Sequence, residues 1–320
     1  MRRVPAAILL IALLVGCGDA APTAPGGYSV EIPVESGAAD RLGDVVRETR
    51  GPVALVAHDA AAAQRALAAR DKAQRPDARV VVFADDAVVP PFADGGPDAV
   101  VTAAIAALAN ATADLTLLAV SGVATPAQVT VGARWHTRAN RAAGGQSAPS
   151  PGEFGLAALR LQHPTVLDRR PQTDVVFRVG IVVSPSEPMR AQLATALAAA
   201  CRGYPQLEAR LGEDAGTFLA ENVNALVLAG RGHAALAPLA REALANGVRV
   251  LGVASDLPSA AVQTTVVVEA NTFGVAAAEA VRALLPQGGR VLEVGFRSTD
   301  PTHVARSSLL GKALATANGK

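Results

Sequence analysis

Residues 224–256, NALVLAGRGHAALAPLAREALANGVRVLGVASD, decide the fold class. ALVLA is a short run of apolar residues without polar alternation, the pattern of a strand buried on both faces. A Gly-Arg-Gly loop follows, then a stretch rich in Ala and Leu with helical spacing, with Gly247 as its stop signal. VRVLGV is a second buried strand, ending at Asp256. Strand, helix and strand in this order form a right-handed crossover between parallel neighbours.

The same unit recurs in both directions along the chain. Strands are predicted at Ser29–Pro33, Val53–Ala57, Arg79–Phe83, Val129–Ala133, Phe177–Val183, Leu207–Leu211, Ala225–Ala229, Arg249–Val253, Thr264–Val268 and Arg290–Gly295. Helices are predicted at Ala39–Glu48, Ala60–Ala69, Val100–Ala111, Glu153–Gln162, Pro188–Cys201, Ala234–Ala245 and Phe273–Leu285. Alternation on this scale reads as α/β, with two doubly wound parallel-sheet (Rossmann-like) lobes joined by a hinge. Residues 139–175, with the loops AAGGQSAPSPG and DRRPQTD, read as a connector between two halves, 28–138 and 176–320.

The first 27 residues have a different texture. Arg2 and Arg3 precede an apolar stretch, Ile8 to Val15, too short to span a bilayer. It ends in Leu14-Val15-Gly16-Cys17, which resembles the lipobox of bacterial lipoproteins. That resemblance implies a signal peptide over 1–17, lipid attachment at Cys17 and anchoring on the periplasmic side of the cell envelope. Each buried methylene is worth about 0.8 kcal/mol, so several acyl chains on one cysteine hold a protein firmly. An ordinary secretion signal is the competing reading. Residues 18–27, GDAAPTAPGG, have the composition of a flexible tether.

Composition excludes several function classes. The net charge of +1 provides no basic field for nucleic acid. Cys201 is the only cysteine besides Cys17, and it sits in an Ala-rich helical stretch as a small apolar side chain. Gly230-Arg231-Gly232 lacks the third glycine of a dinucleotide fingerprint. No nucleophile elbow, P-loop or metal-ligand spacing occurs, so neither enzymatic activity nor a cofactor is expected. Trp135 reads as packing.

From Phe177 onward the order of features resembles a type I periplasmic sugar-binding protein of the ribose-binding kind. VGIVVSPSEP (179–188) stands as first strand and ligand loop, and MRAQLATALAAACRGYPQLEARL (189–211) as long helix and second strand. Residues 224–256 follow, then TTVVVEANTFGVAAAEAVRALL (264–285) as hinge strand and helix, and RVLEVGFRSTDPTHVARSSLLGKAL (290–314) as strand, loop and arginine-bearing helix. The segments that would come next stand at the other end. YSVEIPVESGAADRLGDVV (28–46), PVALVAHDAAAAQRALAA (52–69), ARVVVFADDA (78–87) and WHTRAN (135–140) resemble the family's remaining strands, helices and tail. The resemblance therefore implies a circular permutant of the periplasmic-binding-protein type I fold, a rearrangement that surface termini tolerate. Two unrelated Rossmann-like domains are the alternative.

The permutation would braid two lobes. One would combine residues 28–101, the strand near 126–138 and 266–320; the other, 103–122 and 176–263. Crossings would fall near Thr102, Gly122 and Thr264, and Ala315 would sit close to Tyr28. A cleft would lie between the carboxyl ends of the two sets of strands. On one rim would stand Ser184, Ser186, Glu187, Arg231 and Asp256, on the other His58, Asp59, Asp85, Asp86 and Arg306. The resemblance assigns Asp256, Arg306, Asp85 and His58 to ligand binding, carboxylates accepting hydroxyls and arginine donating from its fork. Asp256 and Asp85 also suit helix caps. The loop SPSEPM lacks the aromatic residues with which the family stacks a sugar ring. The expected function is a solute-binding lipoprotein that closes on a small polar, sugar-like ligand and delivers it to a membrane permease. The alternative is a noncatalytic sensing or interaction lipoprotein with a degraded cleft.

Overall fold

The structure, a computed structural model, describes residues 27–31, 39–84, 95–140, 145–147, 151–170, 175–187 and 189–316. The expected signal peptide, the lipobox-like stretch with Cys17 and most of the expected tether lie outside the described residues, as do Asp85 and Asp86. Along the chain the first half contains β1 (Tyr28–Glu31), α1 (Ala39–Glu48), β2 (Val53–Ala57), α2 (Ala60–Lys72), β3 (Arg79–Ala84), β4 (Ala99–Thr102), α3 (Ile105–Val120), β5 (Gln128–Val131) and β6 (Arg134–Thr137). Next come β7 (Gln146–Ser147) and α4 (Pro151–Gln162). The second half contains β8 (Phe177–Val183), α5 (Arg190–Arg202), β9 (Leu207–Gly212), α6 (Ala215–Ala220), β10 (Ala225–Ala229), α7 (Ala237–Ala245), β11 (Arg249–Val253), β12 (Thr264–Val268), α8 (Ala270–Leu284), β13 (Gly289–Val294) and α9 (Pro301–Thr316).

These strands form two sheets, each drawing on both halves of the chain. The first has the order β1-β13-β2-β3-β4-β6-β7, parallel except where β6 runs against its two neighbours. Its β13, from near the end of the chain, lies between β1 and β2, from near the start. Tyr28 pairs with Gly289 in this register, and α9, which carries Ala315, packs on β1. The second sheet, β5-β12-β11-β10-β8-β9, is parallel throughout, and its β5 comes from the first half.

Helices cover both faces of each sheet, which is why the strands lack polar alternation. Val53 to Ala57 and Ala225 to Ala229 are buried at every position. Ala62, Ala63 and Ala66 of α2 pack on one face of the first sheet, and Phe273, Ala277, Leu310 and Leu314 of α8 and α9 on the other. In the second lobe Leu115, Leu193 and Leu197 of α3 and α5 cover one face, and Phe218 and Ala240 of α6 and α7 cover the other. The α/β, two-sheet architecture expected from the sequence is therefore present.

Several expectations need correction. Residues 100–102 belong to β4, and the helix begins only at Ile105. AVVTAAIAAL has no Gly or Pro at the junction to mark the change of period. The single strand expected near 126–138 is two strands, and β5 belongs to the opposite sheet from β6. The crossings therefore fall at Ala103–Ala104, Gly132–Ala133 and Glu269. Gly122 instead sits in the turn after α3 with φ +80°.

The crossings are joined by hydrogen bonds. The Gly132 amide donates to Glu153 Oε1 (3.0 Å), Ala133 N–H to Thr272 Oγ1 (2.8 Å) and Glu269 N–H to the Val131 carbonyl (3.0 Å). Backbone donors freed where a strand leaves its sheet must find partners, and Glu153 of α4, Thr272 of α8 and the Val131 carbonyl of β5 supply them. The connector adds a further bridge: β7 pairs with β6, while Leu156 of α4 is buried in the core under the second sheet.

Candidate functional site

A cleft of about 550 Å³ opens where the two lobes meet. Its walls come from the loops after β8, β10 and β11, the starts of α3, α5 and α8, and α9. This is the carboxyl-end rim of the second sheet facing helices of the first lobe, the usual binding position for open α/β sheets. A second hollow, of about 620 Å³, is lined by Asn222, Asn246 and Arg249 between α6 and α7 and contains none of the predicted site residues.

Two left-handed glycines shape the first rim. Gly230 (φ +88°) and Gly232 (φ +97°) let the loop after β10 fold under the loop after β8. A Cβ on Gly230 would lie 2.9 Å from Glu187 Cβ, and one on Gly232 would lie 2.8 Å from Ser186 Oγ. The Gly-Arg-Gly stretch is thus a close-approach loop. Ser184 is buried and its Oγ lies 2.9 Å from Ser186 Oγ, which in turn donates to the Arg231 carbonyl (3.2 Å). Ser184 supports Ser186; Ser186, Glu187 and Arg231 line the cleft.

Asp256 also lines the cleft, but its carboxylate holds the neighbouring loop. Oδ2 accepts the Gly232 amide (3.0 Å) and Oδ1 the His233 amide (2.9 Å). Burial acts to raise its pKa, yet these amides outweigh it and hold the carboxyl below the ordinary range. Ala254, directly after β11 and two residues before Asp256, is left-handed at φ +48°, which turns the chain from β11 so that Asp256 faces the loop.

On the opposite wall Arg306 is buried, its guanidinium carbon 5.0 Å from the Phe83 ring centre and 4.6 Å from that of Phe273. Burial pushes its pKa down to about 10, so it remains charged at neutral pH. Phe273, at the start of α8, lines the cleft beside it and was not singled out from the sequence. Its signal was available: an aromatic residue just after a predicted crossing strand.

His58 departs from its expected place. Its side chain is fully buried, with Nε2 2.6 Å from Glu293 Oε2, and Ser307 Oγ donates to Glu293 Oε1 (2.7 Å). Phe83, Phe296 and His303 surround the ring. A buried carboxylate on β13 requires hydrogen-bonding partners, and His58 is one of them rather than a cleft-lining group. Asp59 caps α2 by accepting the Ala62 amide (2.6 Å).

The two remaining expectations concern packing. Trp135 is buried and donates to Glu279 Oε2 (2.9 Å). Cys201 is fully buried, and burial raises its thiol to about 11. Among the described residues no three or more His, Cys, Asp or Glu side chains are grouped to hold a metal, and no helix is long and apolar enough to cross a membrane. No protein-family model matches the chain, and no curated protein matches it in sequence.

Proposed function

We propose that this chain is a solute-binding lipoprotein built on a circularly permuted type I periplasmic-binding fold. It is held to a membrane through Cys17 and passes a small polar solute to a permease. The supporting observation is the braiding of the chain. β13 enters the first sheet between β1 and β2, β5 joins the second sheet beside β12, and the crossings leave a cleft walled by both lobes. Lobes connected this way can change their separation while each sheet stays intact, which suits closure around a solute. Sugar-like molecules are the class implied by the sequence resemblance.

One observation favours the sensing alternative. The Asp256 carboxylate already accepts two backbone amides, and His58 is paired with Glu293, so two of the groups assigned to a sugar are engaged within the protein. A thermal-shift screen against sugars, polyols, nucleosides and amino acids separates the readings. A solute at 100 times its dissociation constant stabilises by about 2.7 kcal/mol. A shift with one class and not the others supports solute binding; flat melting curves across the panel support sensing. Incorporation of labelled palmitate into the wild-type chain, and its loss in Cys17→Ser, tests the anchor.

A further inference from the structure

We propose that two copies of this chain associate through β9, their edge strands pairing antiparallel to join two copies of the second sheet into one. The surface is separate from the cleft, whose lining includes no residue of β9. β9 stands at the end of its sheet and pairs only with β8. Among the described residues, β8 and α5 are the elements that pack on it most. At six residues it is longer than β1, β5 and β7, the other sheet ends. Long edges are usually blunted by proline or a bulge. LEARLG (207–212) has no proline, and its register with β8 is unbroken.

The ladder with β8 fixes which backbone groups are open. Phe177 lies opposite Leu207, and its N–H donates to the Gln206 carbonyl (2.8 Å). Alternate residues of a parallel strand turn both backbone groups to the same neighbour, so Glu208 and Arg210 turn theirs to β8. Leu207, Ala209 and Leu211 turn theirs off the sheet edge, although the Leu207 N–H is taken by the Tyr204 carbonyl (3.0 Å). An antiparallel partner can meet these groups only if odd-numbered residues stand opposite odd-numbered ones. The sequence LEARL selects one such register, centred on Ala209. There Leu207 meets the partner's Leu211, and Glu208 meets the partner's Arg210, an opposite-charge pair made twice by the two-fold symmetry. Centring on Glu208 or Arg210 instead would set like charges face to face.

The side chains agree with this register. By strand alternation Leu207, Ala209 and Leu211 share the face packed by α5, where Leu207 belongs to the core. Leu211 is 51% exposed, and the partner's Leu207 end would cover it. Glu208 and Arg210 are exposed on the other face. Arg210 pairs with Glu221 at the end of α6, and its five-donor fork can serve a second carboxylate.

Sedimentation equilibrium of the full-length chain carrying Cys17→Ser, from about 1 μM to about 1 mM, tests this. A monomer–dimer equilibrium is expected, because one edge contact is small for a protein interface. Arg210→Glu and Glu208→Arg should each weaken the dimer at least about tenfold, since each turns both cross-strand pairs into like charges. The double variant Glu208→Arg/Arg210→Glu restores opposite charges and should return the dissociation constant to within about threefold of wild type. The exposed pair with Glu221 lost in two of these variants is worth little to the monomer. Leu211→Lys should also weaken the dimer at least about tenfold while leaving the urea midpoint of dilute protein unchanged. A chain that stays monomeric over this range would overturn the proposal. So would a dimer indifferent to the three single changes, or one lost in the single charge variants and not regained in the double.

Discussion

Replacing Gly274 by alanine tests the packing that holds the cleft-lining helices α8 and α9 together. In the middle of an exposed helix this change stabilises by about 1 kcal/mol, because glycine is the poorer helix former. Here the added Cβ would lie 2.5 Å from the Arg306 carbonyl oxygen, 2.9 Å from Leu309 Cβ and 2.9 Å from the Leu310 amide nitrogen. Two of these neighbours are backbone atoms, so no side-chain rotation relieves the clash. The helices would have to separate by close to 1 Å, loosening Leu310 and Leu314 in the core. Overpacking of this kind costs about 1–3 kcal/mol and outweighs the propensity gain. The expected outcome is a net loss of up to about 2 kcal/mol in urea unfolding followed by circular dichroism, with the m-value unchanged. Gly311, also in α9, has nothing within 4 Å of its virtual Cβ and serves as the control. Gly311→Ala should stabilise by about 0.5–1 kcal/mol. If Gly274→Ala stabilised the protein as much as Gly311→Ala, the close helix contact would be refuted.

Four other outcomes follow from the same structure. Ala254→Gly should raise stability by up to about 1 kcal/mol in thermal unfolding, because it relieves a left-handed alanine at φ +48°. Glu293→Ala should cost about 3–5 kcal/mol by leaving His58 buried without its carboxylate, read as a fall in the urea midpoint. Cys201 should resist a thiol reagent at pH 8 until the protein unfolds. With the folded thiol raised to about 11, its contribution is fully present below its unfolded pKa and is lost as pH rises through the folded value. Glu153→Ala should speed hydrogen exchange at the Gly132 amide by at least about tenfold, reflecting the loss of a hydrogen bond to a charged acceptor worth about 1.5–3 kcal/mol.

The strands buried on both faces were the most legible part of the fold. VALVA, FRVGIVV, ALVLA and RVLGV fall within their predicted bounds because a continuous apolar run between helices has few other uses. β4 and the break between β5 and β6 were hidden, since both occur where the chain changes lobes and obey tertiary constraints rather than local period. At the site, Ser186, Glu187, Arg231 and Asp256 are brought to one cleft, as their strand-end positions suggest, and Arg306 joins them from α9. His58 follows the same strand-end pattern, yet its role depends on Glu293, 235 residues away in sequence. The acidic residue inside the apolar run VLEV was the available sign that a buried partner was required. Asp256 shows a similar limit: its position was readable, while the two amides that engage it depend on the left-handed loop at Gly230 and Gly232.

Fragments 27–147 and 151–316 test the shared sheets most directly when prepared separately and then mixed, with urea unfolding followed by circular dichroism. If each lobe needs strands from both portions, neither fragment alone gives a cooperative transition, and mixing restores a single transition near that of the intact chain. Two fragments that each unfold cooperatively on their own, unchanged by mixing, would contradict the account.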